Sequence, residues 1–168
     1  MNTPKNFIRE LLAGPAAIIV LLAFFMPWIT ISCEGGTAEV TYSGHDMTQD
    51  QSEEDVEEDG DEALWIIPAV ALLALGAVGM RLWNNWRIDQ ATRVYVIAGV
   101  IGLFVQLLKY LAIRSDMDDV AEQIGEGLIN VTYEVGWWLT ALGLIALVGS
   151  AFIPARDEDA GDDLSGLP

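Results

Sequence analysis

Three side chains stand out for chemistry in an apolar setting: Gln106, Lys109 and Tyr110. Their i, i+3, i+4 spacing puts an amide, an ammonium and a phenol on one face of a helix. Such a face inside a membrane suits a polar site or an ion path, because an ionisable group in hydrocarbon is costly and is usually kept for a purpose. Depth sets the balance. If the helix centres near Leu103, Lys109 lies about 8 to 9 Å outward at 1.5 Å per residue. From there its stem can snorkel to the outer headgroups, or its ammonium can pair with Asp116, Glu126 or Glu134 from a neighbouring loop. Snorkelling or such an ion pair is the expected role of Lys109, with a polar pathway as the alternative.

Cys33 is the one cysteine, so an internal disulfide and a Cys-based zinc cluster are excluded. It is a candidate for lipidation, for an intermolecular disulfide, or for a free thiol, the last being the default. His45 is the one histidine and lies in a polar stretch, where an ordinary surface role is expected. Nine carboxylates crowd Asp50 to Glu62 with no Lys or Arg among them. Oxygen-rich runs can hold Ca²⁺, but the ligand spacing of an EF-hand is missing and Asp59-Gly60-Asp61-Glu62 is only a fragment of one. A solvated, self-repelling acidic spacer is expected there. No nucleotide loop, serine-nucleophile elbow or HExxH motif occurs. The expectation is therefore a protein that is not an enzyme, with no catalytic residue, no cofactor and no metal site.

The elements that must position these residues follow from hydropathy. Of 168 residues 52% are hydrophobic and 20% charged, yet the formal net charge is -17. The acidic residues sit in blocks between long stretches nearly free of them, a pattern of membrane spans joined by acidic loops. A strongly negative chain also repels phosphate, which disfavours nucleic acid, and no nucleic-acid partner is expected. A span needs about 20 apolar residues. Four segments qualify: 11–31, 64–82, 94–113 and 135–153, which predicts an all-α four-helix membrane bundle. Around them fall an N-terminal stretch 1–10, an acidic outer loop 32–63, an inner loop 83–93, a second outer loop 114–134 and an acidic tail 154–168. Lys5 and Arg9 ahead of the first span also suit a signal sequence cleaved near Cys33, though retention as a helix is expected. Pro15 is read as a tolerated first-turn proline.

Basic residues orient the bundle. Lys5, Arg9, Arg81, Arg87, Arg93 and Arg156 fall on one side of a chain that threads four times, so both termini are expected in the cytoplasm of a cell-membrane protein. The two outer loops hold 18 of the 25 acidic residues. Trp83 and Trp86 mark the inner headgroup level, and Trp28, Trp65, Tyr133, Trp137 and Trp138 the outer one. So acidic a chain also suits strong salt, where the Debye length shrinks to about 3 Å at 1 M; a halophilic source is a plausible origin.

Within the first outer loop, the alternating, β-rich stretch Thr37 to Gly44 predicts a short strand or hairpin. In the second, Met117, Val120, Ile124 and Leu128 recur at helical spacing and predict a short amphipathic helix over the bundle. Small residues four apart, Ala13/Ala17, Ala98/Gly102, Gly136/Thr140 and Ala146/Ser150, favour close helix approach.

The segment Pro27-Trp28-Ile29-Thr30-Ile31-Ser32-Cys33, with Thr41-Tyr42-Ser43-Gly44 after it, resembles a pattern of small prokaryotic four-span membrane proteins. In these a Pro-Trp ends the first span and a Ser-Cys follows outside. The resemblance covers about 20 residues and implies the four-span architecture but no activity. The expected function is that of an accessory, scaffolding or interaction subunit, with the lipid bilayer and a protein partner or homo-oligomer as its surroundings. A small oligomeric transporter or channel using Gln106 and Lys109 is the alternative.

Overall fold

The computed structural model describes residues 7–33, 39–49, 62–84, 88–124 and 129–153. Their order is α1 (Phe7–Ala23), β1 (Pro27–Cys33), β2 (Glu39–Ser43), two short 3-10 turns (Asp46–Thr48 and Glu62–Trp65), α2 (Ile66–Asn84), α3 (Ile88–Ile124), β3 (Ile129–Tyr133) and α4 (Val135–Ser150). Each helix packs on two others, α1 on α2 and α4, α3 on α2 and α4, so the four close into a ring.

Small residues set how closely the ring draws in. A Cβ on Gly99 would lie 2.6 Å from Val148 Cγ2 and 2.9 Å from the Leu144 carbonyl. One on Gly143 would lie 2.5 Å from Val20 Cγ2 and 3.1 Å from the Ala16 carbonyl. Ala13, Ala17, Ala98, Gly102, Gly136, Thr140 and Ser150 are all buried, so these small-residue faces join helices of this one chain. Large apolar side chains point the other way. Leu11, Leu22, Phe25, Leu72, Leu73, Ile97, Phe104, Leu107, Leu142 and Ile145 are exposed around the perimeter.

Two helices, within Glu62–Trp83 and Gln90–Met117, are long and apolar enough to cross a membrane. Only 39% and 22% of their most apolar stretches is buried inside the molecule, whereas the core helix of a water-soluble protein is mostly covered.

The bundle is capped by a small sheet, which corrects the all-α expectation. Its order is β2-β1-β3, with both pairings antiparallel. The apolar run that predicted one helix to residue 31 divides. The helix ends at Ala23, and Pro27 opens strand β1 instead. Pro27, Ile29, Thr30 and Ile31 suit a pleat better than a helix, because proline and β-branched side chains both disfavour helical backbone. The helix also starts earlier, so Pro15 lies in its third turn and the Leu11 carbonyl loses a helical donor.

The predicted strand within residues 37–44 is present as β2. The separate amphipathic helix is not: Met117, Val120 and Ile124 continue α3 without a break, and Leu128 lies outside the described residues. At 1.5 Å per residue α3 is about 55 Å long, so it outruns its shorter neighbours. The acidic run 50–61, the tail 154–168 and Lys5, Trp86 and Arg87 also lie outside the described residues.

Candidate functional site

The motif residues meet where sheet and bundle join. Pairing between β1 and β2 slips between Pro27 and Ile29, so Trp28 sits at a bulge, a device that re-aims a side chain. Trp28 is fully buried, with its indole N–H donating to the Ala23 carbonyl at 2.8 Å. Glycines flank it. A Cβ on Gly44 would lie 2.8 Å from the indole and 2.9 Å from the Phe24 carbonyl; one on Gly136 would lie 2.8 Å from the indole and 2.5 Å from the Pro27 carbonyl. Phe24 and Trp137 meet the indole edge-on at 5.8 and 5.4 Å. The Glu134 N–H donates to the Trp28 carbonyl at 2.8 Å, and the His45 N–H to the Phe24 carbonyl at 3.1 Å. Pro27, Trp28 and Gly44 thus weld the sheet to the end of α1 and the start of α4, with Trp28 and Trp137 buried at that seam.

His45 lies between Phe25, ring centroids 5.5 Å apart, and Trp65 at 5.9 Å, with Asp46 beside it. The Ser43 backbone N–H (2.9 Å) and hydroxyl (2.7 Å) both donate to Asp46 Oδ2. These bonds, the backbone one first, hold the Asp46 carboxyl below its ordinary value. Cys33 is the last residue of β1 and pairs across the strand with Ile129.

Gln106, Lys109 and Tyr110 do share one face of α3, the face turned toward α4 and β3. Gln106 is buried and its amide N–H donates to the Trp137 carbonyl at 2.9 Å. Tyr110 stacks at 5.4 Å on Tyr133, which meets Trp137 at 5.2 Å. Burial, and then the neighbouring Tyr110, push the Tyr133 phenol above its ordinary value. Lys109 is half-buried. The amide and the phenol of this face are therefore engaged in holding α3 against α4 and the sheet.

A second polar cluster, which the sequence reading passed over, lies at the opposite end. Glu10, buried near the start of α1, pairs with Arg81 near the end of α2. Arg9 donates through Nε to the Ile153 carbonyl just after α4 at 2.6 Å and through Nη1 to Thr92 Oγ1 on α3 at 3.3 Å. Two consecutive side chains of α1 thus reach α2, α3 and the segment just after α4. Tyr95 on α3, also buried, has its hydroxyl within electrostatic reach of Glu10 and Arg81. The sequence carried one signal for this cluster: Glu10 is the single carboxylate before the first outer loop. A carboxylate bordering an apolar span asks for a cation on a neighbouring helix.

Among the described residues no group of three or more His, Cys, Asp or Glu side chains is placed to hold a metal ion. Compared with known proteins, the chain matches no family model, no curated protein and no solved structure.

Proposed function

We propose that the chain is a four-span protein of the cell membrane, with both termini in the cytoplasm, acting as an interaction or scaffolding subunit of a membrane complex. The observation that carries this is the contrast between perimeter and interior. Apolar side chains cover the outside of the bundle, as lipid requires and water penalises. Three polar side chains of the interior and its inner end are turned onto neighbouring elements: Gln106 onto α4, Glu10 onto α2, and Arg9 onto α3 and the Ile153 carbonyl just after α4. Such ties favour a rigid strut over a conducting path. Arg9, Arg81 and Arg93 lie at the helix ends opposite the sheet, which suits a cytoplasmic position for them. The sheet then faces outward, with Glu39, Val40, Thr41, Asn130 and Thr132 exposed to a protein partner.

The test uses Cys33→Ser protein carrying one new cysteine. Gln49→Cys should react with a membrane-impermeant thiol reagent on intact cells, and Gln90→Cys should react only after permeabilisation. The reverse pattern overturns the orientation. For the role itself, purification in mild detergent should give a complex of fixed stoichiometry with a second protein. A homo-oligomer that conducts ions in liposomes would replace the scaffold with a channel.

A further inference from the structure

The inner cluster holds more polar capacity than its own contacts use. Glu10 Oε2, Arg81 Nη1 and the Tyr95 hydroxyl are buried and have no hydrogen-bond partner among the described residues. Glu10 and Tyr95 are each more than nine-tenths buried. A buried donor or acceptor left unpaired costs more than a typical hydrogen bond contributes. Two of these atoms belong to one ion pair and the third interacts electrostatically with it, so the three point to a shared ligand.

The three atoms specify its chemistry. Glu10 Oε2 only accepts, Arg81 Nη1 only donates, and the phenol does either. The carboxylate repels an anion, the guanidinium repels a cation, and together they are neutral. What fits is an uncharged oxygen that donates one proton and accepts at least one.

We infer that Glu10, Arg81 and Tyr95 together bind a hydroxyl oxygen, supplied by water or by a lipid headgroup. It donates to Glu10 Oε2 and accepts from Arg81 Nη1, and the Tyr95 hydroxyl donates to its second lone pair. Water has a further proton, so with water the phenol can also be the acceptor. This ligand bridges α1, α2 and α3 beside Arg9, which already reaches α3 and the Ile153 carbonyl just after α4. The ligand does not depend on which way the bundle faces or on what it binds outside.

Tyr95→Phe gives opposite signs for a bridged and an orphaned phenol. If the hydroxyl is bridged, its removal lowers the melting temperature by about 2 to 4 °C, a typical hydrogen bond's worth in a chain of this size. If it is orphaned, removal leaves the melting temperature unchanged or raises it. The measurement is made on full-length protein in two sets of vesicles, phosphatidylglycerol and phosphatidylcholine, since only the former carries headgroup hydroxyls. A loss in both, with an infrared O–H band that shifts in H2¹⁸O and disappears in Tyr95→Phe, identifies water. A loss in phosphatidylglycerol alone identifies the lipid hydroxyl. No loss in either overturns the inference. So does a loss that persists when Glu10→Leu and Arg81→Leu are already present, because the phenol would then be bonded elsewhere.

Discussion

Gly136→Ala adds one methyl group at the crowded seam between sheet and bundle. The new Cβ would sit 2.5 Å from the Pro27 carbonyl oxygen, 2.8 Å from Trp28 Cδ1 and 3.0 Å from the Ala23 carbonyl oxygen. Two of these atoms are backbone, and the third belongs to an indole that already donates to the Ala23 carbonyl. None is the free end of a flexible chain, so relief requires the start of α4 to move away from β1. Overpacking of this kind costs about 1 to 3 kcal/mol, against a helix-propensity gain of at most about 1 kcal/mol. The expected result is a net loss of about 1 to 2 kcal/mol. At about 2 to 4 °C per kcal/mol, that lowers the melting temperature of detergent-solubilised protein by roughly 2 to 8 °C. Gly76→Ala on α2, where a Cβ meets nothing within 4 Å, is the matched control and should be neutral or slightly stabilising. A Gly136→Ala protein as stable as the Gly76→Ala control would refute the claim that this seam is closed by backbone contact.

At the inner end, Glu10→Leu leaves Arg81 buried without its partner and should cost about 3 to 5 kcal/mol, whereas Glu10→Leu with Arg81→Leu should recover most of it. Thermal unfolding of both proteins in one detergent checks the difference, and equal losses would show that the ion pair is not the shared element. The Asp46 carboxyl is held below its ordinary value of 3.8, so its contribution is complete above that value and is lost as the pH falls through the lower folded value. Asp46→Asn should accordingly match wild type at low pH and be the less stable of the two at neutral pH. Gln106→Leu gives up one hydrogen bond to the Trp137 carbonyl, about 1 kcal/mol, while removing an amide oxygen with no partner among the described residues. Its melting temperature should therefore move little. Gln106→Glu, which buries a carboxylate against that carbonyl, should lower it strongly.

Hydropathy located the four main helices, though not all their ends, because a long apolar run satisfies its own backbone most simply as a helix. The sheet was harder to see. Ile29 and Ile31 raise the apolar count just as helical residues would, and only the proline and β-branched pattern tells strand from span. Ile129 to Tyr133 alternates with β-branched residues, but a competing helical period from Met117 to Leu128 leads into it. The period was real as far as Ile124 and belonged to an extension of α3. Gln106, Lys109 and Tyr110 were placed on one face by spacing alone, since i, i+3, i+4 geometry is local. What that face meets, Trp137 and Tyr133, depends on a strand and a helix more than 20 residues away. Glu10 and Arg81 are 71 residues apart, and nothing short of the ring closure pairs them.

That ring closure also sets when the molecule can be finished. The last helix supplies the second neighbour of the first, the late strand β3 covers the free edge of β1, and Arg9 reaches a carbonyl 144 residues further along. A chain still emerging from the ribosome therefore holds α1 with its Val20 side uncovered and β1 paired on one side only. Contacts so distant in sequence form last and slowly. A chain truncated before β3 and α4 would keep an exposed strand edge and the uncovered Val20 side of α1, two features that quality-control proteases and chaperones can recognise. The first helix and the first strand are thus completed only by the last helix and strand of the ring.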